Sequence, residues 1–144
     1  MRNKILMSIR PEFAEAIYRR EKLVEYRPRI PKGWLENWET EKTVYIYETA
    51  PVSKVTGKII VKTCALFVFP KGKHSEIITY PMSPAEDDYL KGHTSIYALH
   101  IRNAQKFKFP MELGQGIFSH IKKAPQSWVY VETEEEKKWI TTIK

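Results

Sequence analysis

The sequence predicts an α+β domain, a small mixed β-barrel of about six strands with short helices at its ends. Stretches rich in β-branched and aromatic residues, which are typical of strands, recur along the 144-residue chain. Helical signals are short and lie between these stretches at irregular intervals. Because strands and helices do not alternate regularly, a small barrel is favoured over a doubly wound parallel sheet.

Length and composition are those of one folded domain, residues 1–144. Hydrophobic residues make up 42% of the chain and charged residues 28%, so disorder is not expected. The single cysteine, Cys64, excludes an intrachain disulfide and a cysteine-based zinc site. We expect a cytoplasmic protein without a membrane partner, because the N-terminus is not signal-like and no apolar run approaches the ~20 residues of a spanning helix.

The chain begins with a predicted strand, a short helix and a second strand. The helix is expected to start at Pro11, because proline is tolerated at a first helical position. Apolar spacing defines the first strand and one buried helical face. These apolar positions are Ile5, Leu6 and Ile9 in the strand and Phe13, Ala16 and Ile17 on the helix.

A charged segment, Lys22 to Arg27, follows the helix and enters the second strand. Side chains alternate along a strand, so Glu25 and Arg27 share a face, and Lys22 takes the other unless it still lies in the turn. From the turn Lys22 can join them, and the three charges then converge at one cleft beside Ser8 and Arg10 of the first strand. The alternative is a structural ion pair that ties the turn to the sheet.

The middle of the chain predicts two long strands. Residues 43–48 alternate in β-forming residues, and residues 54–69 form a longer β-rich run. Gly57 within that run indicates a bulge or a close backbone approach, because so long a strand must bend in a small barrel. Upstream, Trp34 and Trp38 predict either a packed helical turn or a stacking pair over the cleft.

The second half of the chain predicts another short helix between β-rich runs. Ser83 and Glu86 form a capping box around a proline, so a helix is expected from Pro84 to about Lys91. The other expected elements are strands at residues 95–102, 105–109 and 127–131 and a final helix at residues 133–143, with Trp139, Ile140 and Ile143 facing inward.

The net charge of +7 is unevenly distributed. Basic residues outnumber acidic ones in three blocks, residues 1–30, 54–80 and 101–127, and aromatic residues are interleaved with this charge. A fold that brings the blocks to one face would present a surface for nucleic acid. The alternative is a solvated lysine surface without a partner.

The sequence offers few catalytic residues. The four histidines match no metal-binding spacing, so neither a metal nor a cofactor is expected. Cys64 lies in an apolar run and is interpreted as a core residue. Lys22 and Glu25 remain as catalytic candidates. A lysine near apolar walls can act as a base or nucleophile, whereas a nearby carboxylate opposes this by favouring the ammonium form.

Three stretches resemble the ASCH (activating signal cointegrator homology) family, whose domains are relatives of the PUA RNA-binding fold. The run Arg20-Glu21-Lys22-Leu23-Val24-Glu25-Tyr26-Arg27 is similar to the family signature G-x-K-x-x-E-x-R, with Arg20 in the place of the glycine. Residues 44–61 resemble the family's central strand pair, and residues 125–130 resemble its closing strand. In this order the stretches span nearly the whole chain.

The resemblance implies a PUA-like barrel that binds RNA, a nucleotide or a nucleoside in a cleft, with a role in regulating translation or transcription among the expected functions. Lys22 and Arg27 would contact phosphate or a base edge, with Arg10 beside them. Glu25 would orient Lys22 or accept a hydrogen bond from the base. The expected ligand-binding residues are Ser8, Arg10, Lys22, Glu25, Arg27, Trp128 and Tyr130, the last two as stacking surfaces.

The resemblance also implies an enzymatic alternative. Some ASCH-type proteins are amidohydrolases that deacetylate acetylcytidine, and others resemble ribonucleases. The amidohydrolases carry a threonine where this chain has Glu25, so the same chemistry would need a different acid–base partner. Lys22 and Glu25 would then be the catalytic pair. A third alternative is an interaction module in which the charged cluster only braces the fold.

Overall fold

The protein is described by a computed structural model that covers residues 2–35, 41–69 and 83–132. The predictions for Trp38, for the loop that contains His74 and for the helix at residues 133–143 lie outside these ranges. The described elements are β1 (Lys4–Ile9), α1 (Pro11–Tyr18), β2 (Val24–Arg27), β3 (Lys42–Glu48), β4 (Lys54–Val68), α2 (Pro84–Tyr89), β5 (Ser95–Met111), a 3₁₀ turn (Gly116–Phe118) and β6 (Trp128–Tyr130).

The strands form one six-stranded mixed sheet in the order β2-β5-β4-β3-β1-β6. β1 and β3 are parallel, and every other neighbouring pair is antiparallel. The predicted fold class, an α+β domain built on about six mixed strands, is confirmed.

The two edges of this sheet are brought together by Arg27. It lies on the edge strand β2, yet its guanidinium donates to the carbonyl of Ser8 on β1 at 3.2 Å. It also donates to the carbonyl of Ser127, directly before the opposite edge strand β6, at 3.3 Å. The sheet therefore curls until its edges meet, which gives the barrel-like form.

Helix α1 starts at Pro11, as predicted, and packs on the sheet through Ala14 and Ile17, which are fully buried. Ala16, which was predicted to lie on the buried face, is only half-buried, so the prediction of that face is wrong at this residue. After the helix, Arg20 adopts a positive φ of 62°. The residue in the place of the signature glycine thus keeps the left-handed conformation that glycine favours.

The long strands bend at bulges. The pairing of β4 with β5 shifts register at three places, one of them between Val55 and Gly57. A Cβ atom on Gly57 would overlap the carbonyl oxygen of Gln105, so the predicted close backbone approach is confirmed. The sequence predicted two strands at residues 95–102 and 105–109. β5 is instead one strand of 17 residues, because its pairing with β4 continues through the intervening residues.

The main core lies between the sheet and α1. Trp34 is fully buried there, and its indole N–H donates to the carbonyl of Arg2 at 3.3 Å, which confirms the packing interpretation for this tryptophan. A smaller cluster anchors the end of α2 through Leu90 against Tyr26 of β2 and Ile96 of β5. No helix in the described ranges is both long and apolar enough to cross a membrane.

Candidate functional site

A cavity of about 140 Å³ lies where β1, β2 and α2 meet. Four residues predicted to bind ligand line it, namely Ser8, Arg10, Glu25 and Arg27. α2 contributes the opposite wall. A cavity of about 150 Å³ is enough to bind one benzene ring, so this one has the size of a single small ring system.

Arg27 is held rigidly in the cavity wall. Its side chain is 5% exposed. Besides its bonds to the carbonyls of Ser8 and Ser127, it donates to the Ser127 hydroxyl at 3.0 Å and to Glu25 Oε2 at 3.3 Å. Its Nε–H has no acceptor among the described residues. A buried donor without an acceptor is unfavourable, and because Nε exposes almost no surface, it is the rest of the guanidinium that lines the cavity.

Behind the cavity wall, Lys22 holds two carboxylates. Its ammonium contacts the carbonyl of Val24 at 2.7 Å and Glu25 Oε1 at 3.2 Å, and it forms an ion pair with Glu86. An ammonium has three donors, and each has an oxygen here. The three charged side chains are only 10%, 6% and 13% exposed. Lys22 therefore fixes Glu25 and Glu86, both of which line the cavity.

Glu86 is a site residue that sequence reasoning missed. The predicted capping box is present, since Glu86 N–H donates to the Ser83 hydroxyl at 3.2 Å and Glu86 Oε1 accepts from the Ser83 N–H at 3.1 Å. The second carboxylate oxygen remains free to face Lys22. Because a capping box uses only one oxygen of its glutamate, the sequence indicated that the other oxygen of Glu86 was available for a partner. It could not indicate which partner, since only the tertiary fold brings α2 to the charged segment.

The rim of the cavity combines aromatic rings with cations. The guanidinium carbon of Arg10 lies 5.6 Å from the ring centroid of Tyr89, and that of Arg27 lies 6.0 Å from it. The Arg10 side chain is 51% exposed, with Glu12 at 3.9 Å. The rim thus presents an exposed cation to solvent, whereas the interior presents a buried one held by several hydrogen bonds.

The two predicted stacking residues lie elsewhere. Trp128 and Tyr130 pack edge to face, with ring centroids 5.2 Å apart, and the guanidinium of Arg2 covers the Tyr130 ring at 3.7 Å. Trp128 lines a more open groove beside the cavity. The structure therefore does not bring these rings together with Arg27.

Other candidate chemistry is weaker. Burial raises the pKa of the Cys64 thiol to about 12, in agreement with a core residue that is not a nucleophile. Within the described ranges, no group of three His, Cys, Asp or Glu side chains is placed to hold a metal ion.

Fold and site together define a PUA-like domain with a cavity at the seam of its sheet, where Arg27, Glu25 and Glu86 stand among apolar and aromatic walls. No protein-family model matches the chain, and no curated protein matches it. Among solved structures it is similar to ASCH from Zymomonas mobilis, with 26% identity and a TM-score of 0.70 over 99% of this chain and 96% of that one. A variant of that protein matches with the same identity and TM-score.

More distant structures share the fold. A Pseudomonas putida protein matches with 19% identity and a TM-score of 0.51 over 97% of this chain and 98% of that one. The N-terminal domain of Staphylothermus marinus McrB matches with 12% identity and a TM-score of 0.52 over 100% of this chain and 96% of that one. The resemblance to the ASCH family that the sequence indicated is therefore confirmed by structure, since the chain is similar to an ASCH protein over nearly its whole length.

Proposed function

We propose that this domain binds RNA or a nucleotide-sized ligand, with one base inside the cavity. The observation that carries the proposal is the buried guanidinium of Arg27, which lines a cavity the size of one ring system together with the carboxylates of Glu25 and Glu86. A cytoplasmic location and a role in regulating translation or transcription stay predictions.

The polar groups of the cavity suit a base better than a phosphate. Arg27 offers a donor, and the carboxylates of Glu25 and Glu86 offer acceptors on the same walls. A base edge carries both acceptors and donors, so it can use both kinds of group. A phosphate would meet two carboxylates at close range, which is repulsive. Phosphate contact is therefore assigned to the exposed Arg10 at the rim.

The size and the aromatic lining agree with this assignment. The cavity fits one ring system, and Phe13, Tyr26 and Tyr89 supply ring surfaces around it. Stacking of a base on an aromatic side chain contributes about 1–3 kcal/mol. The Arg27 guanidinium is already oriented by its protein contacts, so little side-chain freedom is lost when a ligand binds.

The test is calorimetric titration with the common ribonucleosides and their monophosphates. Arg27→Lys keeps the charge but removes the planar guanidinium that lines the cavity, so affinity should fall about tenfold or more. Arg102→Lys, at an exposed arginine paired with Glu41, is the matched control and should bind as the parent does. Tyr89→Ala tests the same cavity from its exposed rim and should also weaken binding. Absence of binding by the parent protein would overturn the proposal.

The alternative function is hydrolysis of an acylated cytidine or of RNA. One observation favours it: Lys22 and Glu25 form a buried pair in which Glu25 lines the cavity and Lys22 lies behind its wall, with a second carboxylate, Glu86, on the same lysine. In that arrangement Glu25 can exchange a proton and Lys22 can stabilise negative charge. Purified protein should then release acetate from N4-acetylcytidine or cleave RNA, and Glu25→Gln should abolish turnover. Turnover that is unchanged in both Glu25→Gln and Lys22→Met would show that these two residues are not the catalytic pair.

A further inference from the structure

An open basic groove runs beside the cavity. Its wall includes Arg29, Lys122, Lys123 and Trp128, and Gln126 lines both the groove and the cavity. The groove and the cavity are therefore neighbours that share a wall at Gln126. The volume of the groove is about 970 Å³, far larger than that of the cavity.

The charge of this groove is of one sign as far as the structure describes its lining. No Asp or Glu is among the described residues that line it. Arg29, Lys122 and Lys123 are exposed, and none of them forms an ion pair or a side-chain hydrogen bond with another described residue. In the cavity the opposite holds, because Lys22 and Arg27 are paired with carboxylates. Three cations in one groove, none of them paired among the described residues, suit a polyanion.

We propose that this groove, defined by Arg29, Lys122, Lys123 and Trp128, binds the phosphodiester backbone of a single-stranded nucleic acid. The proposal rests on the proposed function and narrows its ligand from any nucleotide to an oligonucleotide. A base that enters the cavity must leave its stack, which is least costly in a single strand. The three cations then contact the phosphates of the adjoining nucleotides.

Trp128 completes the groove. It is half-buried against Tyr130 and lines the groove, so it offers a fixed aromatic surface to the base that follows the one in the cavity. Charged grooves with aromatic platforms are the usual design of single-strand binding sites. The predicted stacking role of Trp128 is thereby placed in the groove.

The test is fluorescence anisotropy with a labelled single-stranded RNA of about eight nucleotides, a length within the range that one small domain covers. Four phosphate contacts, three in the groove and one at Arg10 on the cavity rim, give a slope of about −2.8 for the logarithm of affinity against the logarithm of salt concentration. Affinity should therefore fall about fiftyfold between roughly 0.05 M and 0.2 M salt. The variant Lys122→Gln/Lys123→Gln should bring the slope to about −1.4.

A charge-matched control separates the groove from net charge. Lys62→Gln/Lys108→Gln removes the same charge from exposed lysines outside the groove, and its slope should equal that of the parent. Trp128→Leu should weaken the oligonucleotide about tenfold while leaving mononucleotide affinity unchanged. Equal slopes in the two double variants would overturn the proposal, as would duplex RNA binding as tightly as the single strand.

The outcomes also separate this inference from the proposed function. In one outcome, mononucleotides bind through Arg27, and the oligonucleotide binds no more tightly than they do and with no steeper salt dependence. That result would overturn the proposal for the groove and would leave the assignment of a base to the cavity unchanged. In another outcome, the affinity for the oligonucleotide depends on Lys122 and Lys123 but not on Arg27. That result would support phosphate binding in the groove and would overturn base binding in the cavity. Displacement of bound oligonucleotide by an acidic peptide with equal affinity would make the groove a protein-binding surface and would overturn the proposal.

Discussion

Removing the lysine that holds two carboxylates should be strongly destabilising. Lys22→Met keeps the aliphatic stem and deletes the ammonium, so Glu25 and Glu86 are left facing each other in a nearly buried setting. Loss of one partner from a buried ion pair typically costs about 3–5 kcal/mol. Glu25 keeps Arg27 at 3.3 Å, and Glu86 keeps the Ser83 N–H at 3.1 Å. The expected loss is therefore near the lower end, about 3 kcal/mol.

The assay is thermal unfolding followed by calorimetry. In a protein of this size, each kcal/mol lowers Tm by about 2–4 °C, so Lys22→Met should lower Tm by about 6–12 °C. Lys54→Met is the matched control, because Lys54 pairs with Glu112 at 2.7 Å but both side chains are about half exposed. Exposed pairs contribute about 1 kcal/mol or less, so Tm should fall by only a few degrees at most.

A double variant tests the cause. Glu86→Gln removes one of the two facing charges and retains a side chain that can complete the capping box. Lys22→Met/Glu86→Gln should therefore be more stable than Lys22→Met alone. A Tm for Lys22→Met within about 2 °C of the parent, or a double variant less stable than the single, would refute the reasoning that this cluster is buried and charged.

Three further predictions follow from other contacts. Gly57→Ala should destabilise the fold by about 3 kcal/mol or more in urea unfolding, since its Cβ would overlap the Gln105 carbonyl; a wild-type midpoint would contradict the bulge geometry. Because burial raises the pKa of Cys64 to about 12, its thiol should react with iodoacetamide far more slowly in the native protein than in urea, and equal rates would show an exposed thiolate. Burial, with Lys62 nearby, lowers the pKa of His100, so the unfolded state takes up the proton first and stability should decline as pH falls below about 6.5. His100→Gln should weaken that decline in urea unfolding at a series of pH values, and an unchanged profile would exclude His100 as its source.

Local sequence signals predicted the elements well where they depend on short-range chemistry. Pro11 marks the start of α1, and Ser83 together with Glu86 marks the start of α2. Both starts could be predicted because helix caps and first-turn prolines depend only on residues a few positions apart. The division of β5 was wrong, since pairing with β4 carries the strand through residues whose own pattern is interrupted.

The site was also predictable only in part, because the tertiary fold decides which residues from distant parts of the chain join it. The spacing of Lys22, Glu25 and Arg27 along one short segment was enough to expect that they meet. Glu86 and Tyr89 come from a helix far along the chain, and only the tertiary fold brings them to this segment. Trp128 could be identified as a stacking candidate, but its side chain lines the groove because of the position of β6 at the seam.

The most direct test of the account is the ¹H–¹⁵N resonance of Arg27 Nε–H during titration with ribonucleoside monophosphates. A buried and fixed guanidinium should give a resolved cross-peak at neutral pH, and a base bound in the cavity that this guanidinium lines should shift the cross-peak. The Nε–H of the exposed Arg102 should stay in place. A nucleotide that binds while the Arg27 signal remains unmoved would contradict the assignment of the base to this cavity.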